Sequence, residues 1–191
     1  NDADDRYIVV DGRLEAQFLP VLGTIPKVEH ILVDRPQGLL AHDPRVTDLS
    51  AFIDNHGVDF PWTESAEEQA AGICYTSGTT GNPKGVAYSH KTTYLHALAS
   101  RAVDAFGVRE RDTILMLPSM FHANAWGFPY SGWMSGADMV MPGPHLQMPH
   151  LRSMITDSRP TLTALVPTLL GDLLRADAAE PLDCSCFRAI I

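Results

Sequence analysis

The chain is short of cysteine, short of positive charge and without a long apolar run, and each shortage removes a class of protein. Three cysteines (Cys74, Cys184 and Cys186) in 191 residues cannot form a closed disulfide framework. Cys184 and Cys186 are too few for a structural zinc site without further partners, so reduced, packed thiols are expected. Fourteen basic against 23 acidic side chains give a formal charge of −9. A field of that sign repels phosphate backbones and argues against a sequence-independent nucleic-acid binder. No stretch holds the roughly 20 apolar residues of a spanning helix, and no secretory pattern stands out. A cytoplasmic protein without an integral membrane segment is expected. Gly-x-Ser-x-Gly is missing, which removes the usual hydrolase elbow. His145 and His150 lack acidic neighbours at metal-ligand spacing.

What is present describes a folded α/β chain. A hydrophobic fraction of 45% with 19% charged residues suits a globular protein rather than a disordered one. The N-terminus opens on Asn1-Asp2-Ala3-Asp4-Asp5, and the C-terminus stops inside the apolar run Phe187-Arg188-Ala189-Ile190-Ile191. Natural termini are mostly polar and solvated, so a portion of a longer polypeptide is expected. Strands are predicted over 28–34, 73–76, 86–88, 113–117, 137–141, 162–166 and from 187 onward. Helices are predicted over 48–55, from an N-cap at Ser89 to about Phe106, over 146–158, and from Pro167 to about Arg175. Residues 118–136 read as aromatic-rich and partly helical, and Glu64 to Glu68 as a solvated acidic face. The alternation of strands and helices predicts an α/β architecture with substantial parallel sheet.

The densest chemistry lies in residues 76–85, Thr-Ser-Gly-Thr-Thr-Gly-Asn-Pro-Lys-Gly, directly after a predicted strand. Gly78 and Gly81 permit positive φ and let successive amides face one centre. The hydroxyls of Thr76, Ser77, Thr79 and Thr80 can donate to phosphoryl oxygens or ligate a cation. Lys84 supplies positive charge that the acidic chain otherwise lacks. By composition alone the stretch equally suits an ordinary surface turn. A kinase-type phosphate loop needs its lysine directly after glycine and a helix next. Here Lys84 follows Pro83 and an extended segment comes next, so that reading fails on order. A second string, Leu117-Pro118-Ser119-Met120-Phe121-His122-Ala123-Asn124-Ala125-Trp126-Gly127, sets His122 among aromatic residues. It suits a plain core as well as an apolar binding pocket.

Both strings resemble those of one family. Tyr75 to Val86 is similar to the signature loop of the adenylate-forming (ANL) superfamily of AMP-binding enzymes. The Met-Phe-His-x-Asn-Ala-Trp string resembles the acyl-pocket motif of medium- and long-chain fatty acyl-CoA synthetases. Tyr88-Ser89-His90 and Leu165-Val166-Pro167-Thr168 agree with that resemblance.

The resemblance implies that residues 1–191 are part of the AMP-binding N-terminal domain, with mixed and parallel sheets packed against helices. It implies that the mobile C-terminal lid domain is absent from this chain. The implied reaction is ATP-dependent activation of a fatty acid to acyl-adenylate and then to acyl-CoA, with Mg²⁺ as cofactor and ATP, fatty acid and coenzyme A as partners. Thr76, Ser77, Gly78, Thr79, Thr80, Gly81 and Lys84 would hold the phosphates, with Thr76 also the metal ligand. His122 would act at the reacting carboxylate, and Trp126 would gate the acyl tunnel. The isolated segment is expected to be inactive. A fatty acyl-AMP ligase, another acid–CoA ligase and a non-catalytic remnant of the fold are the alternatives. Homodimerisation and peripheral membrane contact are further implications of the family.

Overall fold

The computed structural model describes residues 3–76, 81 and 83–191. It divides into two compact units, residues 1–64 and 65–191.

In the first unit, β1 (Tyr7–Asp11), β2 (His30–Asp34) and β3 (Val46–Asp48) form a parallel sheet in the order β1-β2-β3. Its core gathers Val10, Leu22, Ile25, Val28, Ile31, Val33 and Leu40. Short 3₁₀ turns and α1 (Glu15–Phe18) carry the chain from β1 to β2. Glu15 is buried, and it accepts the backbone N–H groups of Gln37 and Leu39 at 2.6 Å each, with Leu40 at 3.3 Å. Burial of that carboxylate is thereby compensated, as a buried charge requires. Arg45 pairs with Asp43 at 2.7 Å and donates to the carbonyls of Leu22 and Ile25. α2 (Leu49–Asp54) starts at Asp48, whose carboxylate accepts the Ala51 N–H at 2.9 Å.

The second unit opens with an antiparallel hairpin of β4 (Ala70–Thr76) and β5 (Lys84–Ser89), in which Thr76 faces Lys84. α3 (His90–Ser100) follows, and the Ser89 hydroxyl caps it by accepting the Thr92 N–H at 3.1 Å. Lys91, on the first turn, pairs with the exposed Glu67 and Glu68 at 3.1 and 2.9 Å. The helix ends at Ser100, short of the expected end at about Phe106. The amides of Arg101 and Ala102 turn to carbonyls three residues back rather than four, and Gly107, at φ +59°, closes these turns onto the Ala102 carbonyl.

Four parallel strands follow, in the order β7-β6-β8-β9: β6 (Thr113–Leu115), β7 (Asp138–Val140), β8 (Leu162–Thr163) and β9 (Ala189–Ile190). Side chains alternate across this sheet. Ile114 and Leu162 join a core with Ala125 and Phe128, from α4 (Ala123–Trp126) and α5 (Phe128–Ser135). Leu115 faces the other way, packing with Ile155 of α6 (Met148–Ser158) and Leu173 of α7 (Pro167–Ala179). The architecture is α/β with parallel and antiparallel sheets. After β6 the chain moves outward to β7, then returns across β6 to β8. The order therefore reverses between β6 and β8, and in open parallel sheets the crevice beyond the carboxyl ends at such a reversal is where ligands bind.

Candidate functional site

A cavity of about 410 Å³ occupies that crevice. Leu117, Pro118, Phe121, His122 and Trp126 reach it from the segment after β6, and Leu165, Val166 and Leu169 from the segment after β8. Its few polar side chains are Ser119, His122, Thr168 and Asp172. The wall is thus apolar with a small polar set, the usual make-up of a pocket for a small organic ligand. His122 is held at its backbone, where its N–H donates to the Ser119 carbonyl at 3.0 Å, and its side chain is exposed.

Beyond His122 the backbone takes an uncommon form. Ala123, Asn124, Ala125 and Trp126 have φ of +46°, +51°, +53° and +56°, and Gly127 continues at +75°. α4 is therefore a left-handed turn, which costs about 1–2 kcal/mol for each residue bearing a Cβ. Asn124 is of the residue type that tolerates this conformation best after glycine. Ala125 is fully buried, which ties the turn to the sheet. The Cys74 thiol of β4 donates to Asn124 Oδ1 at 3.0 Å. His96 of α3 lies 3.0 Å from the Trp126 carbonyl through Nε2. A carbonyl only accepts, so Nε2 carries the proton in this contact. Gly127 packs under the same imidazole, and a Cβ there would come within 2.4 Å of His96 Cδ2.

A second cavity of about 500 Å³ is lined by Tyr88, Thr92, His96, Phe106, Asn124 and Tyr130 among others. Trp126 lines both cavities.

Of the predicted phosphate-binding residues, Ser77, Gly78, Thr79 and Thr80 lie outside the described residues. Thr76 and Lys84 are exposed and form the last register pair of the hairpin, and Gly81 has φ +91°. Cys74 precedes Thr76 by two positions on one strand, so their side chains share a face. Lys84, directly opposite Thr76, shares it too. The hydroxyl and the ammonium therefore stand on the face that Cys74 turns towards Asn124. His122 and Trp126 share the first cavity. The contacts of Cys74 and His96 with this turn were missed in the sequence. Asn124 stood in the quoted string, but its partner is 50 residues away and no local pattern links them. Among the described residues no group of three His, Cys, Asp or Glu side chains is poised for a metal.

Fold and crevice together define an α/β ligand-binding domain with its pocket at the switch between β6 and β8. The chain belongs to the AMP-binding enzyme family, whose model matches residues 1–190. It is 37% identical over 186 residues to the medium-chain-fatty-acid–CoA ligase of Ectopseudomonas oleovorans, covering 94% of this chain and 33% of that protein. It is 40% identical over 186 residues to the 3-methylmercaptopropionyl-CoA ligase of Ruegeria lacuscaerulensis, covering 94% and 34%. Among solved structures, a long-chain-fatty-acid-CoA ligase from Archaeoglobus fulgidus superposes with a TM-score of 0.82 at 27% identity, over 100% of this chain and 36% of that one. The chain spans about a third of the length of the curated relatives it matches.

Proposed function

We propose that the full-length polypeptide carrying this segment is an AMP-forming acid–thiol ligase that activates a fatty acid. The observation that carries this reading is the apolar cavity containing His122, tied through Asn124 and Cys74 to the strand that leads into the glycine- and hydroxyl-rich string. The similarity to fatty-acid–CoA ligases supports the same reading. A carboxylate oxygen attacks the α-phosphorus of ATP and pyrophosphate leaves, giving acyl-adenylate. The thiol of coenzyme A then loses its proton, attacks the acyl carbon and expels AMP.

The first step sets an anion against an anion and adds charge to the leaving group. Fixed donors aimed at that charge lower the barrier. Lys84 and the amides of the glycine-rich string serve the β- and γ-phosphates in this scheme, and His122 orients the carboxylate. The Thr76 hydroxyl is a hard oxygen donor of the kind that Mg²⁺ accepts. Mg²⁺, when bound beside Thr76, would shield the phosphate charge. Trp126 separates the two cavities, and its displacement would join them into a space suited to a long acyl chain. Residues 1–191 then form part of the large adenylating domain. No helix among the described residues is long and apolar enough to cross a membrane.

The test is acid-dependent exchange of pyrophosphate into ATP by the full-length polypeptide. Lys84→Ala and Thr76→Ala should each slow it by about 10²–10³-fold, the usual effect of deleting one preorganised donor. Unchanged exchange in both variants would remove the phosphate assignment. The 40% identity to a 3-methylmercaptopropionyl-CoA ligase favours a second reading, a short thioether acid as substrate. A higher kcat/KM for 3-methylmercaptopropionate than for octanoate or dodecanoate would establish it.

A further inference from the structure

Four successive left-handed residues with side chains persist only where their surroundings over-determine them, and here the surroundings include a strand 50 positions earlier. Cys74 is 7% exposed, and its thiol lies 3.0 Å from Asn124 Oδ1. In sequence Asn124 sits midway between His122 and Trp126, which both line the first cavity. Cys74 in turn stands two residues from Thr76 on the same strand face. One hydrogen bond thus links strand β4 to the turn that lines the first cavity.

We propose that Cys74 and Asn124 are positioning residues for the acid substrate, holding α4 in its left-handed form and so setting the orientation of Trp126 between the two cavities. This rests on the ligase reading above. A thiol is a weak donor, so the bond is not there for bulk stability. A hydroxyl in its place would make the same contact, whereas a methyl group would leave the amide oxygen unpaired. Loss of the contact frees the turn, which faces the acid, and leaves the hairpin's own register intact. The effect belongs to the acid and not to ATP.

Pyrophosphate exchange would be measured on the full-length polypeptide as wild type, Cys74→Ala, Cys74→Ser, Asn124→Gly and the double variant Cys74→Ala/Asn124→Gly. Asn124→Gly deletes the acceptor while keeping a residue at ease with positive φ. Cys74→Ala should raise the KM for the acid about tenfold with the KM for ATP within about twofold of wild type, and Cys74→Ser should restore the acid KM. The double variant should be no worse than the poorer single one, because both remove the same bond. An unchanged acid KM in Cys74→Ala, an equal defect in Cys74→Ser, or additive losses in the double variant would each overturn the assignment. Emission of Trp126, taken as the difference from a Trp126→Phe partner of each variant, gives a readout independent of turnover. It should shift in Cys74→Ala and not in Cys74→Ser. If wild type shows no acid-dependent exchange while that shift appears, the ligase reading fails and the structural contact stands. If wild type is active and no shift appears, the contact fails alone.

Discussion

Gly127 meets two separate demands, and either one would exclude most other residues. Its φ of +75° is costly for any side chain, and a Cβ would lie 2.4 Å from the ring of His96. Alanine there must push the imidazole away and break its bond to the Trp126 carbonyl. Gly127→Ala is therefore expected to destabilise the protein by about 1–2 kcal/mol or more, with thermal unfolding as the measure, and, under the ligase reading, to raise the acid KM of the full-length polypeptide more than its ATP KM. His96→Ala removes the same donor without adding bulk, so it should reproduce the second effect with a smaller change in melting temperature. A drop in melting temperature for His96→Ala as large as that for Gly127→Ala would assign the loss to packing rather than to the hydrogen bond.

At the level of elements, Trp126 marks the boundary between two apolar spaces, and it is carried by a turn rather than by a regular helix. In the full-length polypeptide, under the ligase reading, Trp126→Ala is expected to raise activity with long or bulky acids relative to wild type. An unaltered chain-length profile would argue against a gating role. Much of this arrangement was legible beforehand. The β4 strand, the β5 strand and the Ser89 cap all follow from local residue types, and so do the parallel strands from β6 onward. Other parts were not. β3 carries the single apolar residue Val46 and is a strand because it pairs with β2. The left-handed form of α4 depends on burial of Ala125 and on contacts from Cys74 and His96, none of which has a period in the sequence. The predicted helix to Phe106 stops at Ser100, because the amides of Arg101, Ala102 and Ala105 bond carbonyls three residues back and the chain turns through Gly107.

Each unit of the molecule has its own arginine–carboxylate clasp, and these set its behaviour in acid. In the second unit Asp112, 2% exposed, meets Arg188 at 2.6 Å and accepts from the Thr161 hydroxyl and the Arg109 amide. Burial alone would raise its pKa, but Arg188, Thr161 and the Arg109 amide outweigh burial and hold it below the ordinary value. In the first unit the Arg45 guanidinium lowers Asp43 from 3.8 to about 2. A carboxylate depressed on folding contributes stability that is full above its unfolded pKa and is lost as pH falls through the folded one. Melting temperature should therefore hold steady above about pH 5 and decline from about pH 4 towards pH 2, as followed by circular dichroism. Asp112→Ala should cost about 1–3 kcal/mol through loss of the acceptor for Arg188, the Thr161 hydroxyl and the Arg109 amide and flatten part of that decline. The exposed pairs Arg6–Glu29 and Lys27–Asp4 should contribute little. The reversal of strand order has a further consequence. The stretches 118–122 and 166–169 emerge at the sheet's rim, while Leu115, Leu117, Ile155 and Leu173, which bind the layers together, pack below them. Under the ligase reading, exchanging those two short tracts with a relative's in the full-length polypeptide should change which acid is preferred while the scaffold beneath keeps its shape.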